Sequence, residues 1–201
     1  MLDIKDILNE QRIYAVLNKV PILRESEVHL FEELISLYKP VRILEVGTAI
    51  GYSTLLLARH SGEDFHIDSI EIDETRHGMA KHFIGQSKYN DRITLHLGDA
   101  NTLLSEMEGP YDMVFLDGPK GQYKNQLELI ESKLAPQAVV LADNVLFRGY
   151  VRGEKEAPRR YKTIVKRLRE YLETVEDKER FNTTIYPLGD GMSVSIWKGN
   201  K

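Results

Sequence analysis

The sequence predicts an α/β protein with a doubly wound, mostly parallel sheet of seven strands. Short apolar runs rich in valine and isoleucine recur along the chain, and amphipathic stretches with helical spacing separate them. Strands of this near-continuous apolar kind, alternating with helices, are typical of a parallel sheet covered on both faces. A glycine-rich turn between the last two runs predicts that the sheet ends in an antiparallel hairpin.

The apolar runs and amphipathic stretches place each element in turn. Strands are predicted at 42–46, 66–72, 93–97, 113–117, 139–143, 183–187 and 193–198. Helices are predicted at 4–17, 25–38, 52–60, 74–88, 122–134 and 159–173. The hairpin turn is the run Gly189-Asp190-Gly191 between the last two strands.

Length and composition limit what the protein can be. A chain of 201 residues without a linker is expected to form one domain over 1–201, with N-terminal helices in 1–40 and a basic insertion at 148–170. The absence of cysteine excludes disulfides, thiolate zinc sites and cysteine nucleophiles. The first twenty residues are rich in charge and no apolar run approaches 18 residues, so we expect a cytoplasmic protein without a membrane partner.

Charge is unevenly distributed along the chain. The formal net charge is −4, from 27 basic and 31 acidic residues. Nine basic and two acidic residues lie between Arg148 and Arg169, which leaves 18 basic and 29 acidic residues elsewhere. A segment of charge +7 therefore belongs to a chain whose remainder carries −11.

Residues at the ends of the first three strands suggest a nucleoside ligand, because open α/β sheets bind ligands beyond the carboxyl ends of their strands. Gly47 and Gly51 allow a tight turn and a close approach to a ligand, and Ser53 starts the next helix. The pattern is not G-x-G-x-x-G, so no pyrophosphate cradle is implied.

Two acidic residues extend this hypothesis. Glu71 ends the second strand and can accept the hydroxyls of a ribose, while Asp99 follows the third strand and can meet the edge of an adenine. An adenosine bound by carboxylates and without phosphates suggests S-adenosylmethionine. Taken singly, a strand-terminal acidic residue is more often a helix cap or a surface residue, and a glycine pair is more often just a turn. The three features in order favour the cofactor.

Oxygen ligands follow the fourth and fifth strands. Asp117 ends one strand, and Asp143 and Asn144 end the next, so the three side chains can lie close together and suit Mg²⁺. Lys120, three residues from Asp117, is a candidate general base. The alternative is that Asp117 starts a turn, Asp143 caps the next segment and Lys120 is a solvated loop lysine.

These motifs resemble the metal-dependent catechol and caffeoyl-CoA O-methyltransferases, which are class I methyltransferases with a Rossmann-like fold. The matching stretches are LEVGTAIGYST, IDSIEID, LGDA, MVFLDGPK and LADN, in the order of that group. The resemblance implies that Mg²⁺ is held by Asp117, Asp143 and Asn144. It also implies a set of residues that line the S-adenosylmethionine site, namely Leu23, Glu45, Gly47, Ser53, Glu71, Asp99, Ala100 and Asp117.

Over nearly its whole length the chain is similar to the bacterial methyltransferases that convert 5-hydroxyuridine to 5-methoxyuridine at the wobble position of tRNA. The stretches that carry this resemblance include VPIL, KGQY, DNVLFRGYV, APRRYKTIVKRLREY and PLGDGMSVSI. It implies that the tRNA anticodon loop is the partner. Relatives form homodimers through the N-terminal helices and last strands, so a homodimer is expected. The pair Gly118-Pro119 departs from the expected Ala-Ala and puts the presentation of Lys120 in doubt.

A basic face would serve a tRNA substrate, since an acidic protein otherwise repels RNA. The candidate tRNA-binding residues are Arg148, Arg159, Arg160, Lys162 and Lys166. On a helix from Arg159, basic residues at 159, 162, 166 and 169 share one side, and 164, 165, 168 and 172 form the buried stripe. Tyr150 and Tyr161 can stack on bases or serve as core and cap residues. A solvated basic helix neutralised by acidic residues is the alternative.

Three functions remain open from the sequence. The first is an S-adenosylmethionine- and Mg²⁺-dependent tRNA 5-hydroxyuridine O-methyltransferase. The second is a small-molecule enzyme of the catechol or caffeoyl type with the same catalytic residues. The third is a non-catalytic tRNA-binding module that retains the fold, which would be indicated by loss of a metal ligand or of Glu71, and the sequence retains these residues.

Overall fold

Seven strands and seven α-helices are formed by residues 2–199, which the computed structural model describes. The strands make a seven-stranded sheet in the order β3-β2-β1-β4-β5-β7-β6. The chain divides into two compact units, one ending at Leu103 and the other beginning at Leu104. The predicted fold class, a mostly parallel α/β sheet with antiparallel C-terminal strands, is confirmed.

The first unit contains three parallel strands and the helices around them. Its elements are α1 (Ile4–Asn18), α2 (Glu25–Tyr38), β1 (Arg42–Val46), α3 (Tyr52–His60), β2 (His66–Glu71), α4 (Glu74–Gly85) and β3 (Ile93–Leu97). Val46 of β1 pairs with Ile70 of β2, and Glu71 pairs with Leu97 of β3. The carboxyl ends of the three strands therefore lie level with one another.

Helix α5 (Ala100–Glu106) follows β3 directly and is absent from the sequence prediction. It has seven residues, of which Leu104 alone is buried. So short a helix with one buried position has no periodic apolar pattern to detect. Asp99, directly before the helix, caps it by accepting a hydrogen bond from the amide of Thr102.

The second unit contains the remaining four strands. Its elements are β4 (Tyr111–Leu116), α6 (Tyr123–Ile130), β5 (Leu134–Ala142), α7 (Lys162–Val175), β6 (Phe181–Tyr186) and β7 (Met192–Trp197). Strands β4 and β5 are parallel, while β7 is antiparallel to both β5 and β6. The hairpin predicted at Gly189-Asp190-Gly191 is confirmed, since the amide of Gly191 donates to the carbonyl of Leu188 at 2.8 Å.

Several predicted boundaries in the second unit differ from the structure, and two of them differ for local reasons. Strand β5 begins at Leu134, five residues before the predicted start at Val139. The prediction missed these residues because Pro136 and Gln137 are not typical of a strand. Gln137 has φ +62°, and the pairing with β4 is irregular there. The predicted helix 122–134 is shorter, since α6 ends at Ile130 and a 3-10 turn follows.

Helix α7 confirms most of the predicted burial pattern. Val165, Leu168 and Leu172 are buried, whereas Ile164 is half-buried. The prediction of one helix from Arg159 is wrong, because Arg159–Tyr161 form a 3-10 turn and α7 begins at Lys162. The basic residues predicted to share one side, at 159, 162, 166 and 169, are all exposed. Within residues 2–199, none of the helices combines the length and the apolar character needed to cross a membrane.

Candidate active site

The turn after β1 is built from residues with left-handed backbone conformations. Gly47 has φ +103°, Ala49 +47° and Gly51 +82°. The amides of Gly47 and Thr48 donate to the carbonyl of Ile70 at 3.0 and 3.1 Å, which ties the turn to β2. A Cβ at Gly51 would lie 3.0 Å from Ile84 Cδ1, so glycine meets both the backbone and the space requirement there.

Glu71 holds this turn in place. One of its carboxylate oxygens accepts a hydrogen bond from the amide of Ala49 at 2.7 Å, and the other accepts from the amides of Ile72 and Asp73 at 3.0 and 2.9 Å. A carboxylate has about four acceptor positions, and three of them are used here. A ribose that formed two hydrogen bonds with Glu71 would displace one of these amides.

Glu45 lies beneath the turn and does not reach its surface. It is fully buried, and its carboxylate accepts hydrogen bonds from the hydroxyls of Ser53, Thr54 and Ser69 at 2.5 to 2.6 Å. These bonds join β1 to α3 and β2. The predicted cofactor residues Glu45 and Ser53 are therefore close together, with Ser53 only 7% exposed.

Asp99 is exposed at the end of β3. One carboxylate oxygen accepts from the amide of Thr102 at 3.2 Å, which caps α5 and leaves the second oxygen towards solvent. Ala100 begins the helix and is half-buried. Leu23, predicted to close over the cofactor, is a buried residue of the connection between α1 and α2, at 5% exposure.

Two exposed apolar side chains lie beside the acidic residues of the first unit. Ile72, directly after Glu71, is 65% exposed, and Leu97, two residues before Asp99, is 46% exposed. Exposed aliphatic groups next to carboxylates offer an apolar surface for the face of a planar base. The sequence analysis missed both, because it took Ile72 and Leu97 as the last residues of the strands predicted at 66–72 and 93–97.

The second unit brings two of the predicted metal ligands to neighbouring strand ends. Leu116 pairs with Ala142 in the parallel β4–β5 ladder, and the amide of Asp143 donates to the carbonyl of Leu116 at 3.1 Å. Asp117 and Asp143, the residues that follow this pair, therefore lie side by side on strands about 4.8 Å apart. Asp143 is 3% exposed, and the Asp117 side chain is 23% exposed.

Asn144 continues from Asp143 in a left-handed conformation, with φ +57°. The backbone amide of Asn144 donates to Asp143 Oδ1 at 2.6 Å. Asparagine is among the few residues that adopt this conformation readily, so the short polar side chain suits the sharp turn at the strand end. The three predicted oxygen donors are thus on adjacent strand ends.

Tyr123 lies beneath this oxygen cluster. Its hydroxyl donates to the backbone carbonyl of Asp143 at 3.1 Å, and its side chain is fully buried. Burial raises the pKa of Tyr123 well above its usual value, and the negative charges of Asp117 and Asp143 raise it further. The hydroxyl therefore keeps its proton and remains a donor.

Lys120 reaches the same cluster. Its Nζ lies 3.5 Å from Asp117 Oδ1 and 6.0 Å from the centroid of the Tyr123 ring, and its side chain is 20% exposed. The solvated-loop alternative is therefore not what the structure shows. The residues Gly118-Pro119 do not prevent the lysine from turning back to the strand end.

The donor set fits Mg²⁺, which prefers carboxylate and carbonyl oxygens. Two carboxylates and an amide are present on adjoining strand ends, and a cation there would also lower the repulsion between the carboxylates. Residues 2–199 contain no cluster of three or more His, Cys, Asp or Glu side chains suited to a metal ion. Asp117, Asp143 and Asn144 form a different kind of set, with two carboxylates and one side-chain amide.

The basic residues after Asn144 fall into two classes. Arg152 pairs with Glu176, Lys166 and Arg167 lie 3.8 and 3.1 Å from carboxylate oxygens of Glu170, and Arg169 donates to the carbonyls of Tyr150 and Val151. The second class forms neither a salt bridge nor a side-chain hydrogen bond within residues 2–199, and up to Arg169 it consists of Arg148, Lys155, Arg159, Arg160 and Lys162. Four of the five predicted tRNA-binding residues belong to this unpaired class.

Comparison with known proteins identifies related chains. A sequence model of the O-methyltransferase family matches residues 3–197. The caffeoyl-CoA O-methyltransferase of Stellaria longipes is 27% identical over 171 residues, which are 82% of this chain and 71% of that protein. The catechol O-methyltransferase of Niastella koreensis is 29% identical over 125 residues, which are 60% of this chain and 57% of that protein.

Solved structures agree with this relationship. A candidate caffeoyl-CoA O-methyltransferase from Staphylococcus aureus superposes with a TM-score of 0.85 at 30% identity, over 94% of this chain and 91% of that one. The O-methyltransferase of Bacillus cereus in complex with SAH shares the fold, with a TM-score of 0.85 at 23% identity, over 98% and 92% of the two chains.

Proposed function

The chain belongs to the O-methyltransferase family, and we propose that it methylates the 5-hydroxyl group of 5-hydroxyuridine at the wobble position of tRNA. S-adenosylmethionine is the proposed methyl donor and Mg²⁺ the proposed metal ion. One observation carries the choice of substrate. The strand end that bears Asp143 and Asn144 continues directly into a segment whose cations, Arg148, Arg159, Arg160 and Lys162, have no acidic partner within residues 2–199.

The first unit supports the cofactor. The turn at Gly47 and Ala49 is small, Glu71 retains an acceptor position, Asp99 has a free carboxylate oxygen, and Ile72 is an exposed apolar surface. This combination suits an adenosine, whose base is apolar on its faces and polar at its edges. When bound, S-adenosylmethionine would supply an electrophilic methyl group for transfer to a substrate oxygen, with S-adenosylhomocysteine as the second product.

The second unit supports the chemistry at the substrate oxygen. Asp117, Asp143 and Asn144 would hold Mg²⁺, which would make a bound hydroxyl more acidic and orient it. Lys120 lies 3.5 Å from Asp117 and, as the neutral amine, would accept the proton that the hydroxyl loses on methylation. Tyr123 fixes the main chain at Asp143 through its hydrogen bond to the carbonyl.

A 5-hydroxyuracil base suits this donor set because its 5-oxygen and the adjacent carbonyl oxygen form a vicinal pair, as the oxygens of a catechol do. Sequence-specific RNA recognition generally targets single-stranded loops whose bases are splayed out, and the anticodon loop is such a loop. Cations without acidic partners are available for the phosphates, so that their counterions are released on binding.

The test is incubation of the protein with S-adenosylmethionine, Mg²⁺ and tRNA that contains 5-hydroxyuridine, followed by nucleoside mass spectrometry. We expect 5-methoxyuridine to appear, EDTA to abolish it, and Asp143→Ala to abolish it while S-adenosylhomocysteine still binds. Activity that persists in EDTA would remove the metal from the proposal.

Lys120→Met tests the proposed base, with Lys124→Met as the matched control. Lys124 is an exposed lysine of α6 that pairs with Glu128 at 3.9 Å. We expect the Lys120 variant to lose most activity below the intrinsic pKa of the substrate hydroxyl and to recover above it. A loss that is uniform across pH would assign Lys120 a positioning role instead.

A small-molecule substrate is the second candidate, and the names of the relatives favour it. The curated relatives in the comparison include caffeoyl-CoA and catechol O-methyltransferases. The same incubation with caffeate-like diols separates the two functions. Methylation of the diols without methylation of tRNA would overturn the tRNA proposal and leave the O-methyltransferase chemistry intact.

We also propose that the protein is a homodimer. Helix α1 exposes three apolar side chains, with Ile13 at 53%, Val16 at 79% and Leu17 at 75%, and Leu37 of α2 is 72% exposed. Exposed apolar groups of this kind are typical of subunit interfaces. Light scattering should give twice the chain mass for the wild type and one chain mass for Val16→Asp. A monomeric wild type would overturn this proposal.

A further inference from the structure

Three aromatic rings and two arginines form a cluster between the end of β5 and the start of α7. This aromatic–arginine cluster consists of Phe147, Arg148, Tyr150, Arg160 and Tyr161. The ring centroids of Tyr150 and Tyr161 are 6.0 Å apart at an interplanar angle of 28°, and Phe147 meets Tyr161 edge to face at 5.3 Å. All three aromatic residues are half-buried. The rings therefore pack against each other and still present surface to solvent.

Both arginines lie over these rings. The guanidinium carbon of Arg160 is 4.7 Å from the centroid of Tyr161, and that of Arg148 is 5.6 Å from the same centroid. Neither side chain has an acidic partner in the described part of the chain, whereas Arg167 pairs with Glu170 at 3.1 Å. A guanidinium held flat by a ring keeps its charge and its hydrogen-bond donors available for a ligand.

The cluster is held by a strained backbone. Phe147 has φ +41° and Arg148 φ +61°, which are rare for residues with large side chains. Asp190 of the β6–β7 hairpin holds them in this conformation, since its backbone carbonyl accepts from the amide of Phe147 at 3.2 Å and its carboxylate accepts from the amide of Arg148 at 3.1 Å. Strain of this kind is concentrated at functional sites.

The aromatic–arginine cluster also lies next to the oxygen cluster formed by Asp117, Asp143 and Asn144. The amide of Phe147 donates to the carbonyl of Asn144 at 3.2 Å, so one turn of chain separates a proposed metal ligand from the first ring. A cleft beside it is lined by Tyr150, Lys155, Lys162 and Lys166. Aromatic surface with adjacent cationic side chains is the combination that binds single-stranded nucleic acid, because bases stack and phosphates meet positive charge.

We propose that the aromatic–arginine cluster binds the nucleobase next to the nucleotide that is methylated. The base stacks on the guanidinium of Arg160, which lies over the Tyr161 ring, and Arg148 meets the adjoining phosphate. This inference rests on the proposed tRNA function and adds to it a second nucleotide that the enzyme must hold. A cluster that only attached the segment to α7 would have no need of two arginines without acidic partners.

The decisive experiment uses the wild-type protein and short anticodon stem-loop RNAs that carry 5-hydroxyuridine. One RNA is intact, and two others lack the base on the 5′ or the 3′ side of the target. We expect removal of one of these bases to lower kcat/KM roughly ten- to a hundredfold, as the loss of one stacked base does. Equal kcat/KM for all three RNAs overturns the inference, and no protein variant is needed for that result.

Variants connect the missing base to the cluster. Tyr161→Ala should lower kcat/KM for the intact RNA by the same factor, Tyr161→Phe should retain activity, and Arg167→Ala is the control outside the cluster. Tyr161→Ala should cause no further loss on the RNA that lacks the stacked base, because the two changes remove one interaction. Independent, multiplying losses would show that the base is held elsewhere and overturn the assignment.

The two proposals fail in different ways. If the wild type does not methylate the intact RNA, the tRNA function fails and the inference fails with it. If the wild type methylates the intact RNA but is indifferent to both flanking bases, only the inference fails. A circular dichroism melting curve that matches the wild type shows that Tyr161→Ala folds, and Arg160→Gln provides a second variant at an exposed position.

Discussion

The turns at residues 47–51 and 144–149 share a backbone feature, left-handed conformations at non-glycine residues, but carry different side chains. Each follows a parallel strand and contains non-glycine residues in left-handed conformations, Ala49 in the first turn and Phe147 and Arg148 in the second. In each, a carboxylate from a distant part of the sequence accepts a hydrogen bond from the amide of such a residue. Glu71 does so for Ala49 at 2.7 Å, and Asp190 does so for Arg148 at 3.1 Å.

The side chains make the difference between the turns. The first turn carries Gly, Thr and Ala, so its backbone is open to close approach by a small ligand. The second carries Phe147 and Arg148, whose large side chains project from a constrained backbone. The same backbone feature therefore carries small side chains in one unit and large aromatic and cationic side chains in the other. In both turns, a carboxylate that accepts a hydrogen bond from a backbone amide stabilises the conformation of the loop.

The largest expected effect is that of Glu71→Gln. The carboxylate serves three amides, and the amide nitrogen of glutamine cannot accept a hydrogen bond. We expect the free energy of unfolding to fall by about 3 kcal/mol, and the affinity for S-adenosylhomocysteine to fall roughly tenfold or more. Urea denaturation and titration calorimetry measure the two effects. Asp64→Asn, at a carboxylate that is 96% exposed, is the control, and equal values for both variants would contradict the assigned role.

Gly191→Ala should come next, because it disturbs the hairpin that holds the second turn. A Cβ there would lie 2.4 Å from Leu146 Cγ, and the residue has φ +86°. We expect a loss of about 2 kcal/mol in stability, from backbone strain and overpacking, and weaker RNA binding with unchanged affinity for S-adenosylhomocysteine.

Gly153→Ala is the matched control for this change. Gly153 has a similar φ of +78°, but nothing lies within 4 Å of a Cβ placed on it. It should therefore show the backbone strain without the displacement of Leu146. Identical RNA binding by the two variants would mean that the placement of the second turn does not matter for the substrate.

Asp190→Ala should have a smaller effect than Glu71→Gln. The Asp190 carboxylate accepts from the amide of Arg148 at 3.1 Å, and alanine removes that acceptor. We expect a loss of about 1 kcal/mol in stability and a reduced kcat/KM for RNA, with Asp190→Asn restoring most of both through its amide oxygen. An RNA activity that Asp190→Ala leaves at the wild-type level would show that the hairpin does not organise the second turn.

Tyr123→Phe should be the mildest change. It removes the donor to the carbonyl of Asp143 at 3.1 Å and should cost about 1 kcal/mol. Burial and the nearby carboxylates raise the pKa of Tyr123 above its value of 10 in the unfolded chain. The hydroxyl is therefore protonated in both the folded and the unfolded chain below about pH 9. The stability difference from the wild type should therefore be constant between about pH 6 and pH 9. A difference that shrinks within this range would contradict the assignment.

Much of the fold follows from local sequence patterns. Strands 42–46 and 93–97 and helices 25–38 and 52–60 have the predicted bounds. These segments are apolar runs or amphipathic stretches with clear breaks, such as Pro40 after α2. Prediction failed where the pattern was weak, in the seven-residue α5 and in the first half of β5 around Pro136 and Gln137.

The sequence names candidate site residues but not the hydrogen bonds that they form. The sequence indicated Glu45, Glu71 and Asp99 as a set of polar groups for a ligand. In the structure Glu45 is buried under three hydroxyls, Glu71 is bound by three amides, and Asp99 alone keeps a carboxylate oxygen towards solvent. Glu71 accepts from the amide of Ala49 and Glu45 from the hydroxyl of Ser69, which lie 22 and 24 positions away, and no local pattern reports these two bonds.

The amino-acid sequence by itself determined the order of strands and helices, the acidic strand ends and the concentration of positive charge after Asn144. These features depend on side-chain periodicity and composition, which are properties of neighbouring residues. Only the tertiary structure decided which charges are used internally and which remain for a ligand. Glu170 takes up Lys166 and Arg167, while Arg148 and Arg160 rest on aromatic rings, because such pairings depend on distances that arise after the chain has folded.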